Sequence, residues 1–154
     1  MIGETIQSVL NQTFDDFELI IIDDGSTDST KEVVHSFDGP IKYYYQENRG
    51  LACSRNRGIE VSSGDYIHFL DSDDLLRPQA IERKVSLLDS NSDLGFVYSA
   101  HQFINREGEI LPWPEYIPIH PLRRGRIFRF LIRFNFISIS TVLARRDCIN
   151  RVGL

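Results

Sequence analysis

The chain has 154 residues, 42% of them apolar and 25% charged, with 17 Lys and Arg against 22 Asp and Glu for a net charge of −5. A chain of this size and balance can bury a core, which excludes a disordered segment and a disulfide-stapled miniprotein, and one domain is expected. No apolar run reaches the roughly 18 residues of a spanning helix, and the opening residues carry Glu4 and Gln7 with no basic stretch of the secretory kind, so the expected compartment is the cytoplasm.

Ile2, Ile6, Val9 and Leu10 recur at helical spacing and open the chain with an amphipathic helix. Residues 17–22 form a short apolar run stopped by Asp23-Asp24-Gly25-Ser26, which predicts a strand buried on both faces and then a turn. Ser29 and Glu32 have the spacing of a capping box for a second helix, whose apolar face is Val33, Val34 and Phe37 and which Gly39-Pro40 ends. Residues 41–45 are aromatic and β-branched and predict a strand; Leu51–Val61 predicts a helix. Residues 66–70 form a further buried strand ending in Asp71-Ser72-Asp73-Asp74, and Pro78 suits the first turn of a helix through Ile81, Val85 and Leu88. Residues 95–99 predict another strand and Asn105-Arg106-Glu107-Gly108 a hairpin turn, before Pro112, Pro114, Pro118 and Pro121 mark an irregular loop. Strands alternating with helices give an α/β class with a parallel sheet covered on both faces, in which ligands bind at the carboxyl ends of strands.

Two of those ends are acidic. Asp71, Asp73 and Asp74 crowd carboxylates into an oxygen-rich turn that suits Mg²⁺ or Mn²⁺ and, through the ion, a diphosphate. A solvated turn with acids at a helix N-terminus is the plainer alternative. Asp23 and Asp24 suit hydrogen bonds from a ribose or a base edge, or an Asx turn. Arg49, Arg55 and Arg57 lie at a strand-to-helix junction, a setting for phosphates, or face solvent. His35, His68, His101 and His120 show no metal-ligand spacing and are expected in packing roles. Cys53 and Cys148, 95 positions apart, are expected as buried small apolar residues without a disulfide.

Charge is uneven along the chain: residues 121–154 hold eight arginines and one acid, Asp147, while the rest is strongly acidic. An acidic body argues against nucleic acid as a partner. In the basic tail Arg123, Arg124, Arg126, Arg129 and Arg133 are interleaved with Ile127, Phe128, Phe130, Leu131 and Phe134. That pattern suits docking on an anionic membrane or a lipid-linked acceptor, or a core-packed helix with a basic outer face.

Five motifs in order carry a resemblance: Gln12-Thr13-Phe14, Glu18-Leu19-Ile20 through Asp24-Gly25-Ser26-Thr27-Asp28, Asn48-Arg49-Gly50, Arg55-Asn56-Arg57-Gly58, and Gly64-Asp65-Tyr66-Ile67 through Leu70-Asp71-Ser72-Asp73-Asp74. Together they resemble the family 2 glycosyltransferases of GT-A fold, closely over residues 1–100. The resemblance implies a Rossmann-like sheet that binds a nucleotide diphosphosugar donor over residues 1–100, with residues 101–154 starting the acceptor side. It implies metal-dependent sugar transfer with inversion to a saccharide or lipid-linked acceptor, at the inner face of the membrane where a membrane is involved. By motif, Asp24 would hold the base, Asp71 would lie near the ribose and Asp73 would be the metal-binding acid, with Mn²⁺ or Mg²⁺ as the ion. Asp23, Asp74 and Arg55 are adjacent binding candidates. The family begins with a strand and loop that have no counterpart before Met1, and its Glu-Asp general base is expected beyond Leu154, so a fragment truncated at both ends is expected. The segment 140–146 resembles the strand before that pair, and Asp147 is expected to start a helix. Two alternatives from other classes are a haloacid-dehalogenase-like phosphatase and a non-enzymatic nucleotide-sugar-binding module.

Overall fold

The structure, a computed structural model, describes residues 1–114 and 122–153; Pro118, His120, Pro121 and Leu154 lie outside them. The chain runs α1 (Ile2–Leu10), β1 (Leu19–Asp24), α2 (Thr30–His35), β2 (Ile41–Gln46), α3 (Leu51–Val61), β3 (Tyr66–His68), α4 (Ala80–Asp89), β4 (Phe96–Tyr98), α5 (Phe128–Leu131), a 3-10 turn (Ile139–Thr141), β5 (Val142–Arg145) and α6 (Arg146–Val152). β1 and β2 pair in parallel, from Leu19 opposite Ile41 to Asp24 opposite Gln46. β5 lies between β3 and β4 and runs antiparallel to both. Parallel pairing thus holds for the first two strands, and β5 adds an antiparallel centre to the second group.

The helices follow apolar spacing. α1 buries Ile6 against α2, whose Val34 is the matching buried residue. α4 lays Val85 and Leu88 on Leu143 of β5, with Phe14, Tyr66, Ile81, Leu94 and Val97 packed round them. Pro78 precedes the N-cap of α4, Gln79, instead of occupying its first turn. The predicted hairpin is present: Ile104 bridges Ile110, and the Gly108 amide donates to the Asn105 carbonyl at 3.1 Å.

Several expectations are corrected. β1 sits two residues later than its apolar run, so Asp23 and Asp24 are its last residues and not a turn, and pairing with Tyr45 and Gln46 is the reason. Its isoleucines are half-buried, because among the described residues β1 has a strand on one edge alone. β3 stops at His68, opposite Leu143, while Val142, the next residue along β5, pairs with Tyr98 of β4. Ser29 makes no side-chain cap; Asp28 takes the Thr30 amide at 3.0 Å and the Thr30 hydroxyl at 2.6 Å, anchoring the start of α2 from one residue earlier. Cys53 is exposed, because the face of α3 that carries Cys53, Asn56, Arg57 and Glu60 turns towards an open groove along β2. Cys148 is partly buried, and both thiols are free. Among the described residues of the basic tail no long core-packed helix forms: α5 is one turn, and Ile127 before it is the buried residue there.

Candidate functional site

The two acidic strand ends are built differently. Asp23 is 5% exposed, and its carboxylate accepts the Tyr43 hydroxyl of β2 and the Ser26 amide, the latter at 2.8 Å. Burial pushes its carboxyl up, but those donors outweigh it and hold Asp23 below the ordinary carboxylate range. Tyr43 is pushed up to about 12 by its own burial and by the Asp23 carboxylate beside it. Asp23 therefore closes the turn and ties β1 to β2.

Asp24, the next residue of a strand, points to the other face. Its Oδ1 accepts Gln46 Nε2 at 2.7 Å and the Arg49 amide at 2.9 Å, and its Oδ2 accepts the Gly50 amide at 2.8 Å. These bonds, led by the Gln46 amide, lower its pKa. They also fold residues 47–50 back over the strand end. Gly25 makes the fit possible: its φ is +88°, and a Cβ there would stand 2.9 Å from the Asn48 amide nitrogen.

That loop leads straight into α3. Gly50 at φ +86° is its N-cap, and among the described residues no side chain caps the first turn, so the amide donors of Leu51–Cys53 find no side-chain acceptor there. Gln46 Nε2 also reaches Ser54 Oγ at 3.3 Å, and Arg55, one residue on, donates from Nη2 to Asp71 Oδ1 at 3.1 Å. One helix thus joins the two acidic ends: Ser54 on the Asp24 side, Arg55 on the Asp71 side.

The Asp71–Asp74 turn is held mainly through its backbone. The Asp74 amide donates to the Asp71 carbonyl at 3.1 Å, Thr5 Oγ1 of α1 donates to the Ser72 carbonyl at 2.9 Å, and the Asp71 amide donates to Ser140 Oγ at 3.2 Å. Thr5 and Ser140 are both buried. Asp73 is exposed, and neither its carboxylate nor that of Asp74 bonds to a described residue. Among the described residues no three His, Cys, Asp or Glu side chains converge as a metal cage. Thr5 and Ser140 were not foreseen from sequence; a small hydroxyl residue on a helix or beside a strand announces no role until the turn it holds is in place.

The His68 expectation of a packing role fits: its Nε2 lies 3.0 Å from Lys84 Nζ of α4. His35 stacks edge-on with Tyr43, and His101 packs with Phe103 and Trp113. Asp147 lies in the first turn of α6, as expected of a helix-start acid.

An α/β unit with paired acidic strand ends bridged by a helix N-terminus has the layout of a nucleotide-binding domain. The chain matches Glycosyl transferase family 2 over residues 1–151 and belongs to that family. It is 42% identical over 143 residues to an uncharacterized glycosyltransferase of Rickettsia felis, covering 91% of this chain and 23% of that protein. It superposes with a TM-score of 0.71 on the mannosyltransferase PcManGT of Pyrobaculum calidifontis in complex with GDP-Man and Mn²⁺, at 19% identity over 99% of this chain and 42% of the other. The same score is reached with S. aureus TarS 1-349 in complex with UDP-GlcNAc, at 23% identity over 95% of this chain and 42% of that one. The fold is GT-A, and the chain spans less than half the length of these proteins. Family membership sets aside the dehalogenase-like phosphatase.

Proposed function

We propose that the chain is the donor-binding part of an enzyme that transfers a sugar, with inversion, from a nucleotide diphosphosugar to a hydroxyl of a saccharide or lipid-linked acceptor in the cytoplasm. The observation that carries this is the Arg55–Asp71 ion pair at 3.1 Å, which ties the acidic turn to α3, the helix whose preceding loop Asp24 holds. Asp24 and its loop face the base, Asp71 the ribose, and Arg55 with the uncapped start of α3 the diphosphate. Asp23 supports the strand end that presents Asp24. Asp73 holds the divalent ion, Mn²⁺ or Mg²⁺: a single exposed carboxylate fits such an ion when diphosphate oxygens and water complete its shell. When bound, the ion neutralises the departing diphosphate. The bound nucleotide sugars in two structural neighbours support this assignment. No residue of the chain is assigned the general base, because Asp147 serves the start of α6.

Calorimetry of the protein with uridine and guanosine diphosphates, with Mn²⁺ and with chelator, tests the reading. One nucleotide should bind, more tightly with Mn²⁺, and Asp73→Asn should remove the metal enhancement while circular dichroism stays unchanged. Absence of binding to either nucleotide, or metal enhancement intact in Asp73→Asn, overturns it.

A further inference from the structure

We propose that the segment 122–134 docks the protein on an anionic lipid surface. Phe128 is 70% and Ile132 68% exposed, and they lie four residues apart on a helical turn closed by the Ile132 amide donating to the Phe128 carbonyl, so both project from one side. Arg129 and Arg133 follow each of them by one residue, and Arg124 and Arg126 precede them, all exposed. Among the described residues none of these four guanidinium groups is in an ion pair. From Leu122 to Arg146 there is no Asp or Glu at all, although the chain as a whole is acidic. Leu122 adds a further exposed apolar side chain, at 60%.

The segment is nevertheless fixed to the body. Tyr98 of β4 receives the Arg123 amide at 2.7 Å and faces the Arg123 carbonyl at 3.1 Å, Ile127 is buried, and the Arg123 guanidinium lies 3.8 Å over the Phe130 ring. A held turn that shows large apolar side chains flanked along the chain by arginines that are in no ion pair among the described residues has a surface complementary to acyl chains beneath anionic headgroups. A protein partner would have to supply both a hydrophobic face and carboxylates to match it, whereas an anionic bilayer supplies acyl chains and headgroup phosphates together. Among the described residues no helix is long and apolar enough to cross a membrane, so contact through this segment is peripheral.

The test is sedimentation of the protein with vesicles of phosphatidylcholine alone and of phosphatidylcholine mixed with phosphatidylglycerol. Binding is expected to the mixed vesicles and to be reversed by salt. Each arginine beside an anionic surface is worth about fivefold in affinity, so the Arg129→Gln/Arg133→Gln pair should weaken binding by more than tenfold. The Phe128→Ser/Ile132→Ser pair should weaken it comparably, and all four positions are exposed, so the fold survives and circular dichroism checks this. No binding to mixed vesicles, equal binding to both vesicle types, or binding unaffected by either pair overturns the proposal. So does self-association in ultracentrifugation that Phe128→Ser/Ile132→Ser abolishes while vesicles bind nothing, for then a second copy covers the surface.

Discussion

Both carboxylate oxygens of Asp24 are engaged by the chain itself, and the loop they hold is the one that leads into α3. The motif gives Asp24 the expected role of contact with a base; what the geometry shows is that its bonds make residues 47–50 a wall over the strand end. Gly25→Ala tests the wall without touching a carboxylate. Alanine at φ +88°, with its Cβ 2.9 Å from Asn48, should cost about 1–3 kcal/mol in urea unfolding and weaken nucleotide binding in calorimetry. Destabilisation with unchanged affinity would separate the loop from the donor site. Lys84 makes the opposite prediction. It is 5% exposed with His68 as its hydrogen-bond partner, and burial lowers its pKa to about 8. A lysine depressed in the fold burdens stability below that pH and releases the burden as pH rises towards 10.5. Lys84→Met, which keeps the stem, should therefore raise stability at pH 7 by about 1–3 kcal/mol, read as a higher melting temperature.

At the scale of elements, what was legible in the sequence was local and what was missed was paired. α3 runs over Leu51–Val61, as the sequence predicts, and the hairpin at Asn105–Gly108 is written in its turn residues. The end of β1 is not, because Asp23 and Asp24 look like a turn until β2 pairs with them. The acidic ends were visible as charge clusters, whereas Thr5 and Ser140, which hold one of them, act across separations of 67 and 69 residues. Arginines 145 and 146 are the clearest case of a long-range device. Arg145 donates to the Leu88 carbonyl at 2.6 Å and the Leu94 carbonyl at 2.8 Å, closing the end of α4; Arg146 donates to the Gly64 carbonyl at 2.6 Å and Ser62 Oγ at 2.8 Å, closing the end of α3. Arg146→Ala should lose about 1–3 kcal/mol in denaturant unfolding. Arg146→Lys should recover only part of it, since an ammonium cannot reach these acceptors with one planar fork.

Over the whole molecule the stability should fall in acid for two reasons of the same sign. Glu18 accepts Lys42 Nζ at 2.7 Å, the Ser63 amide at 2.6 Å and Ser63 Oγ at 2.8 Å, fastening β1 and β2 to the end of α3. The Lys42 ammonium first, then the Ser63 amide, bring its pKa from 4.5 down to about 2. A depressed carboxyl contributes stability that is whole above 4.5 and vanishes as pH falls towards 2; with its side chain 20% exposed, about 2 kcal/mol is at stake. His68 is brought from 6.5 to about 3, chiefly by burial and then by the Lys84 charge, so protonation favours the unfolded chain over that interval. Unfolding free energies followed from pH 7 to pH 3 should decline throughout, and Glu18→Gln should flatten the part below 4.5.

The two neighbouring arginines also bear on the order of folding. Their acceptors lie 57 and 87 residues earlier, at Leu88 and Ile59, so the ends of α4 and α3 close only after nearly the whole chain has been gathered. Closing such loops is slow and its reward comes late. The C-terminal turns of α3 and α4 should accordingly be the last parts of those helices to set. Removing either guanidinium should then hasten unfolding while leaving the refolding rate nearly untouched.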